Sequence, residues 1–523
     1  MPELAYTDLA EGEKTSSPRF ILNADNSQLN GVVKQYDNKN KTPVTLNLTN
    51  NSTWYLVDNS EVTDLHLNNS AVSLTSTKAP YAVLTITGNL TGSGTFNLYT
   101  NIANNNANKI VVKGTAEGNH KIGVTNQGAN IANGKVTLVE TNGGNAAFSL
   151  TNPNNRVDLG AYQYFLTKEG NNWVLANSKN EVTPTPPVAP ATPSKPVVTP
   201  SKPVVTPSTP VIAPSNPVVT PSNPVVPPAV LLSAPLLSDL ANAQVSLRQA
   251  QLLLVEDDLS GIHQRLGEMK NGEKGNVWVR NVNSRQKLAA LSTGESKTSG
   301  FKQNVHSLQV GADAAVTDNL RVGGFVGCSQ ANVDFNGYYG DGKVRSNSVG
   351  LYAAYLADKG IYVDNIVKYS RLHANSDLTE KRHYNAYTIS SELGKRFNLA
   401  NNWTITPKAQ LAWTHISSQE NEDSLSSVYS RIGLRVAKGF ALSNGWNLQP
   451  YAEVNAITSK NRSSKIHYTN SALDVASSRG HFESAVGLNA GFANHRFGLE
   501  VSRADGKNFD KPYAIQAVYY YSG

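Results

Sequence analysis

The 523-residue chain has one cysteine, Cys328, so no disulfide can form within it, and a lone cysteine reads as a small buried strand residue. No run of about 20 apolar residues occurs, which excludes a membrane-spanning helix. Charged residues make up 16% of the chain, and a soluble domain usually has roughly 25%. The net charge of +7 does not indicate a nucleic-acid surface: residues Met1 to Asn180 hold 13 basic and 13 acidic side chains, so the excess falls later. The opening Met-Pro-Glu-Leu-Ala-Tyr-Thr-Asp has neither the basic nor the apolar stretch of a secretory signal. The start is therefore expected to lie inside a longer reading frame, or to belong to a processed or truncated form.

Recognisable chemistry is lacking as well. No Gly-Asp-Ser-Gly or Gly-x-Ser-x-Gly surrounds a nucleophile, and no His-Glu-x-x-His pattern appears. Residues Gly337 to Lys343 have the Gly and Lys spacing of a phosphate loop, but Val344 stands where Ser or Thr is needed. Strand patterns flank that segment, so it reads as a hairpin turn. The histidines are scattered, and His120, His263 and His306 show no ligand spacing. No catalytic, cofactor-binding or metal-ligating residue is assigned, and a non-enzymatic protein is expected.

What is abundant is alternation. From Gly275 to Gly523, apolar and polar residues alternate in long segments separated by turn signals. Phe482, Ser484, Val486, Leu488, Ala490 and Phe492 oppose Glu483, Ala485, Gly487, Asn489 and Gly491, because successive strand residues point to opposite faces. Twelve strands are expected, beginning near Val277, Asn304, Leu320, Val344, Gly360, Asn385, Trp403, Ser426, Trp446, His481, His495 and Lys511. An even number of antiparallel strands with alternately short and long turns suits a closed barrel in an outer membrane. Asp364, Lys368, Glu392, Arg396, Lys408, Arg431, Arg435, Glu453, Glu483, Arg496 and Glu500 then face the lumen, since charge is costly against lipid.

The preceding sequence divides into three parts. Residues 1–180, rich in Asn, Thr and Gly, carry short alternations such as Leu46-Asn-Leu48, Trp54 to Val57 and Val72-Ser-Leu74, which suit a coil of stacked β-rungs. Its asparagines are suited to left-handed turns and to ladders between rungs. Residues 181–230 hold a proline repeat, Pro-Ser-Xaa-Pro-Val-Val-Thr, that excludes helix and ladder and reads as a stiff spacer. Residues 231–274 contain a helix from Leu236 to Met269, with a kink expected after Asp257, Asp258 and Gly261. Twelve strands leave room for one helix about 10 Å across, so its later part is placed in the lumen, with Glu256, Asp257 and Asp258 near inward Arg and Lys, Arg431 and Arg435 among them.

Ile262-His-Gln-Arg-Leu-Gly-Glu268 followed by Val277-Trp-Val-Arg280 resembles the start of the translocator in the autotransporters of type V secretion. Leu84 to Gly94, Lys109 to Gly114, Val136 to Glu140, Gly160 to Leu166 and Trp173-Val-Leu175 resemble, in order, the end of a pertactin-like passenger. The resemblance implies a right-handed parallel β-helix whose last rungs, about 84–176, nucleate folding, and a barrel at 275–523 that anchors and helps export it. It also implies outer-membrane lipid, the barrel assembly machinery and periplasmic chaperones as partners. Host-cell surfaces or like passengers are the further partners expected of adhesins of the diffuse-adherence and self-associating type. Nucleic acid is not among them. The pattern departs from the family at Ser522-Gly523, which follow the terminal aromatics, and at Gln516, where Gly is common. The paired asparagines of intra-barrel cleavage are missing. Two alternatives stay open: an enzymatic passenger upstream of Met1, and a fragment that is never displayed.

Overall fold

The computed structural model describes residues 18–127, 134–177, 235–266, 274–469, 471–476 and 479–523. The proline repeat, the first residues of the chain and Met269 lie outside them. Among the described residues no helix is long and apolar enough to cross a membrane.

The crossing structure is a barrel. Its twelve long strands are β1 (Gly275–Leu288), β2 (Phe301–Ala315), β3 (Leu320–Phe335), β4 (Asp341–Leu356), β5 (Ile361–Ser376) and β6 (Arg382–Lys395), followed by β7 (Trp403–Ile416), β8 (Leu425–Lys438), β9 (Asn447–Asn461), β10 (Arg479–Phe492), β11 (His495–Gly506) and β12 (Phe509–Ser522). Each begins within three residues of its expected start. Every neighbour pairs antiparallel, and β12 closes on β1 with Tyr521 opposite Val277, so no edge remains. Phe482, Val486, Leu499 and Ile432 project outward, 73, 62, 54 and 70% exposed, which is the surface a lipid phase requires. Asp364, Lys368, Glu392, Arg431, Glu453 and Glu500 are buried on the inner face, as expected. Arg396, just past the end of β6, lies over the ring of the buried inner-face Tyr362 at 5.7 Å. Both barrel ends, Gly275 and Ser522, share one rim with short connections such as 357–360, whereas 289–300, 417–424 and 462–478 form long loops at the other. Short turns mark the periplasmic rim and long loops the external one.

The N-terminal part is a parallel coil. One sheet stacks Phe20–Asp25, Val44–Thr49, Asp64–Leu74, Leu90–Asn101, Asn119–Asn126 and Ala147–Leu150; a second stacks Ser60–Val62, Val83–Ile86, Lys109–Val112 and Lys135–Thr141. Register is pinned by apolar columns: Leu46 pairs with Leu65 and Leu65 with Leu90, all essentially sealed from solvent. Each such leucine contributes about 1.5–3 kcal/mol by burial. Asparagines play both expected parts. Asn26, Asn50, Asn51, Asn69 and Asn105 take positive φ at corners, and Asn47 Nδ2 donates to Asn23 Oδ1 one rung below at 2.8 Å.

The last turn of the coil departs from expectation, because its strands do not continue in parallel. Asn172–Ala176 returns antiparallel against Lys135–Thr141, and Tyr162–Glu169 and Val157–Leu159 follow antiparallel outside it. Tyr162, Gln163, Tyr164 and Phe165 are all buried, so this strand covers the coil with one face and meets other structure with the opposite face. A column of rings runs into this cap. His120 lies 5.8 Å from Phe96 and 5.4 Å from Phe148, and Phe148 lies 5.4 Å from Trp173.

Burial in this column pushes the His120 imidazole below its ordinary value, opposed by the Glu117 carbonyl that accepts from its Nε2 at 2.8 Å. The folded state therefore binds the proton less readily than the unfolded one. This stability is complete above about pH 6.5 and is lost as pH falls through the folded value. Protease resistance of the coil is expected to drop between pH 7.5 and pH 5 in the parent and to change less in His120→Phe. Equal acid sensitivity of the two proteins would remove His120 as the cause.

Candidate functional site

The barrel interior is occupied by the single long helix, α1 (Asp239–Leu266), 28 residues or about 42 Å of rise. Ser238 caps it, accepting from the Ala241 amide at 3.2 Å, and Asp239 places an acid at the positive end. Its polar side chains are as buried as its apolar ones: Gln244, Arg248, Gln251, Glu256 and His263 are all buried. A helix buried on every side has no need of an apolar stripe, because the wall supplies polar partners. The first half of the helix is enclosed as well as its later part. No kink interrupts it at Gly261.

That glycine is used for contact. A Cβ built on Gly261 would lie 1.4 Å from Nη2 of Arg280, so only a residue without a side chain lets the guanidinium pass across the helix. Arg280 in turn donates to Gln309 Oε1 at 2.6 Å and to Gln516 Oε1 at 3.1 Å, which gives Gln516 an inward role on the closing strand.

The acidic triplet of α1 meets the wall residue by residue. Glu256 accepts from Ser459 at 2.7 Å, Asp257 pairs with Lys511 at 2.8 Å, and Asp258 accepts from Ser307 and Ser329, both at 2.8 Å. Lys368 donates to the Val255 carbonyl at 3.0 Å. Arg431 and Arg435, expected beside the triplet, serve the wall instead. Glu453 accepts from both at 3.0 Å and also pairs with Lys408, while Arg431 reaches Glu483 at 3.4 Å. Towards the external rim, Arg248 donates to the Asp423 carbonyl at 2.6 Å and Gln249 to the Ala476 carbonyl at 2.7 Å, so long loops fold onto the first half of the helix.

Lys511 is the described wall cation that pairs with the triplet. Breaking a buried pair costs about 3–5 kcal/mol by leaving a charge uncompensated. Lys511→Glu is therefore expected to raise ion leakage across a planar bilayer, and the exchange Asp257→Lys with Lys511→Glu to restore the seal. Arg431→Glu with Arg435→Glu should lower the barrel's thermal transition through Glu453. If the exchange conducts as much as the single variant, the pair does not hold the helix.

Three residues far apart in sequence also converge here. Ligand-capable atoms of His263, Asp364 and Glu392 lie within 4.8 Å of one another, and His263 Nε2 is 2.5 Å from Ser390 Oγ. Asp364 and Glu392 are direct cross-strand partners, with Lys408 and Arg431 acting on Glu392. Sequence spacing offered no signal for this group.

At the external mouth α1 begins against the cap of the coil. Ser238 donates to the Gly160 carbonyl through Oγ at 2.5 Å and to the Ala161 carbonyl through its amide at 2.8 Å, and the Gln163 amide donates to the Leu236 carbonyl at 2.9 Å. Arg156 pairs with Asp239 at 2.6 Å and Asp158 at 3.2 Å. Burial pushes the Asp158 carboxyl up, Arg156 draws it down, and Asp239 adds to the rise. Tyr339, in the loop after β3, donates to the Leu237 carbonyl at 3.3 Å. Coil, helix and external rim are thus joined by one set of contacts.

Residues 277–502 match the family model described as the autotransporter beta-domain, and residues 62–177 the one described as pertactin. The chain is 32% identical over 505 residues to the pertactin autotransporter of Bordetella parapertussis, covering 90% of this chain and 53% of that protein. It is 31% identical over 493 residues to the autotransporter adhesin/invasin TibA of Escherichia coli O78:H11, covering 88% and 49%. Among solved structures it is similar to the beta domain of the Bordetella autotransporter BrkA, with 25% identity, 48% of this chain and 100% of that one covered, and a TM-score of 0.42. The chain spans about half the length of the curated relatives it matches. The two matched segments fall on the barrel and on the coil, and the chain belongs to the autotransporter family, with its barrel in the outer membrane and its pertactin-like part at the cell surface.

Proposed function

We propose that the barrel anchors the chain and helps export its own coil, and that the exported coil serves adhesion or self-association without enzymatic activity. The observation carrying this is the route of α1. It runs through the lumen from the cap of the coil towards the first strand, so the path of the chain across the membrane is the barrel itself. The coil offers repeated polar rungs and turn asparagines, a surface suited to many weak contacts. Insertion by the barrel assembly machinery, delivery by periplasmic chaperones, and host-cell surfaces or like passengers as partners belong to this reading. Antibody labelling of whole cells tests it. Labelling of an epitope placed within residues 18–177 is expected on intact cells; a coil that is labelled only after the outer membrane is opened would overturn it.

A further inference from the structure

The outer wall of the barrel carries a positively charged groove where the apolar belt ends. Strand register shows it as rows at equal height. Val279, Val310, Val326, Val349, Tyr369 and Tyr387 are successive cross-strand partners and form an apolar and aromatic row across β1 to β6. Four residues closer to the external rim, the corresponding row reads Asn283, His306, Gln330, Arg345, His373 and His383. At about 3.4 Å per residue the second row stands about 14 Å along the strands from the first. Arg371 occupies the row between them, and Lys381 lies in the loop before β6.

In this row Arg345 stands between Gln330 and His373, so no carboxylate lies opposite it to offset its charge. His373 and His383 are in ring contact at 4.4 Å, edge to face. Asn281, His306, Arg345, His373, Lys381 and Cys328, which is exposed on the outer face and not buried as expected, line a depression of about 500 Å³. On the outer wall Arg503 is matched by Asp505 at 3.1 Å, whereas Arg345, Arg371 and Lys381, like Lys302 and Lys460, form no ion pair among the described residues, and the first three are the ones gathered around one depression. The unpaired cations face outward, at the level where acyl chains give way to headgroups.

We propose that this groove is a binding site for a phosphorylated lipid of the outer leaflet. Its phosphate groups are held by Arg345, Arg371 and Lys381, with His306 and His373 alongside, and its acyl chains lie on Leu308, Val326 and Val349. Charge complementarity decides the class of ligand: guanidinium groups match phosphate oxygens in geometry as well as charge, and they are not fully hydrated competitors as lysine is. The position decides the source. Arg345, Arg371 and Lys381 border the lipid-facing surface, where headgroups lie within their reach.

The test uses the full chain folded in detergent and then exchanged into nanodiscs of phosphatidylcholine doped with diphosphoryl lipid A. Native mass spectrometry after mild delipidation is expected to show lipid A retained at least tenfold over phosphatidylcholine. Retention should fall about tenfold in Arg345→Gln with Arg371→Gln and Lys381→Gln, and stay unchanged in Arg503→Gln. Dephosphorylated lipid A on the parent chain gives a second measurement that needs no variant, and it should be lost like phosphatidylcholine. Equal retention of the phosphorylated and dephosphorylated lipids would overturn the proposal. So would equal retention by the triple variant, or a groove that captures soluble heparin while showing no preference for lipid A.

Discussion

A leucine at position 261 is expected to open the barrel. The new Cβ would meet Nη2 and Cζ of Arg280 at 1.4 and 1.5 Å, and Arg280 is held in place by Gln309 and Gln516. Displacing the guanidinium forfeits two charged hydrogen bonds, each worth about 1.5–3 kcal/mol, and leaves a buried cation searching for partners. Shifting the helix instead strains the contacts of Asp257 and Asp258 one turn earlier. Either way Gly261→Leu should show several-fold higher conductance in planar bilayers and a lower thermal transition. Gly261→Ala combined with Arg280→Ala removes the collision and should stay closer to the parent than Gly261→Leu does. Parental conductance and melting in the Leu variant would show that the helix has room here.

The second large effect is expected at the cap. Trp173 covers Phe148 at the end of the ring column, and Leu175 is sealed beneath it. Trp173 is half-buried, so Trp173→Ala should cost about 2–3 kcal/mol, while Leu175→Ala in a full core site costs about 2–5 kcal/mol. Against the roughly 5–15 kcal/mol that hold a domain, the pair removes much of the margin. Because rungs stack on one another, loss at a closed end is felt along the coil. Surface-displayed coil should become protease-sensitive in both variants, with the barrel still heat-modifiable on gels. A coil as resistant as the parent would deny these rungs a nucleating role.

The barrel was legible because lipid enforces one rule on every strand: apolar outward, anything inward. That rule yields strand starts and faces from single residues such as Phe482 and Glu483. It does not yield height. Which wall residue meets a given turn of α1 depends on strand tilt and stagger, so Arg431 and Arg435 looked like partners of the acidic triplet while Lys511 and Lys368 hold those places. Asp257, Asp258 and Gly261 resembled a helix break because their wall partners are invisible in the helix's own sequence. The cap was misread for a different reason. Gly170-Asn171 is a two-residue turn between Tyr162–Glu169 and Asn172–Ala176, with Gly170 at φ 60°, and Gly-Asn between strands signals a hairpin. That signal was present, and the rung pattern around it masked it. The row from His306 to His383 needs cross-strand register and could not be read from any one strand.

The contacts where the coil meets α1 also define how the molecule would carry a load. The Leu236 amide donates to the Asn177 carbonyl at 3.3 Å, so residues adjacent to either end of the proline-rich segment are fastened to each other. A pull on the coil therefore passes from the cap directly into the helix and the barrel wall while that fastening holds. Once the few bonds around Gly160, Ala161 and Gln163 part, the covalent chain from Asn177 to Leu236 takes up the load. The arrangement is a sacrificial latch. Under an external pull on a displayed coil, a single-molecule force trace should show one low-force extension step before any rung unravels, and a trace without that early step would mean the latch carries no load.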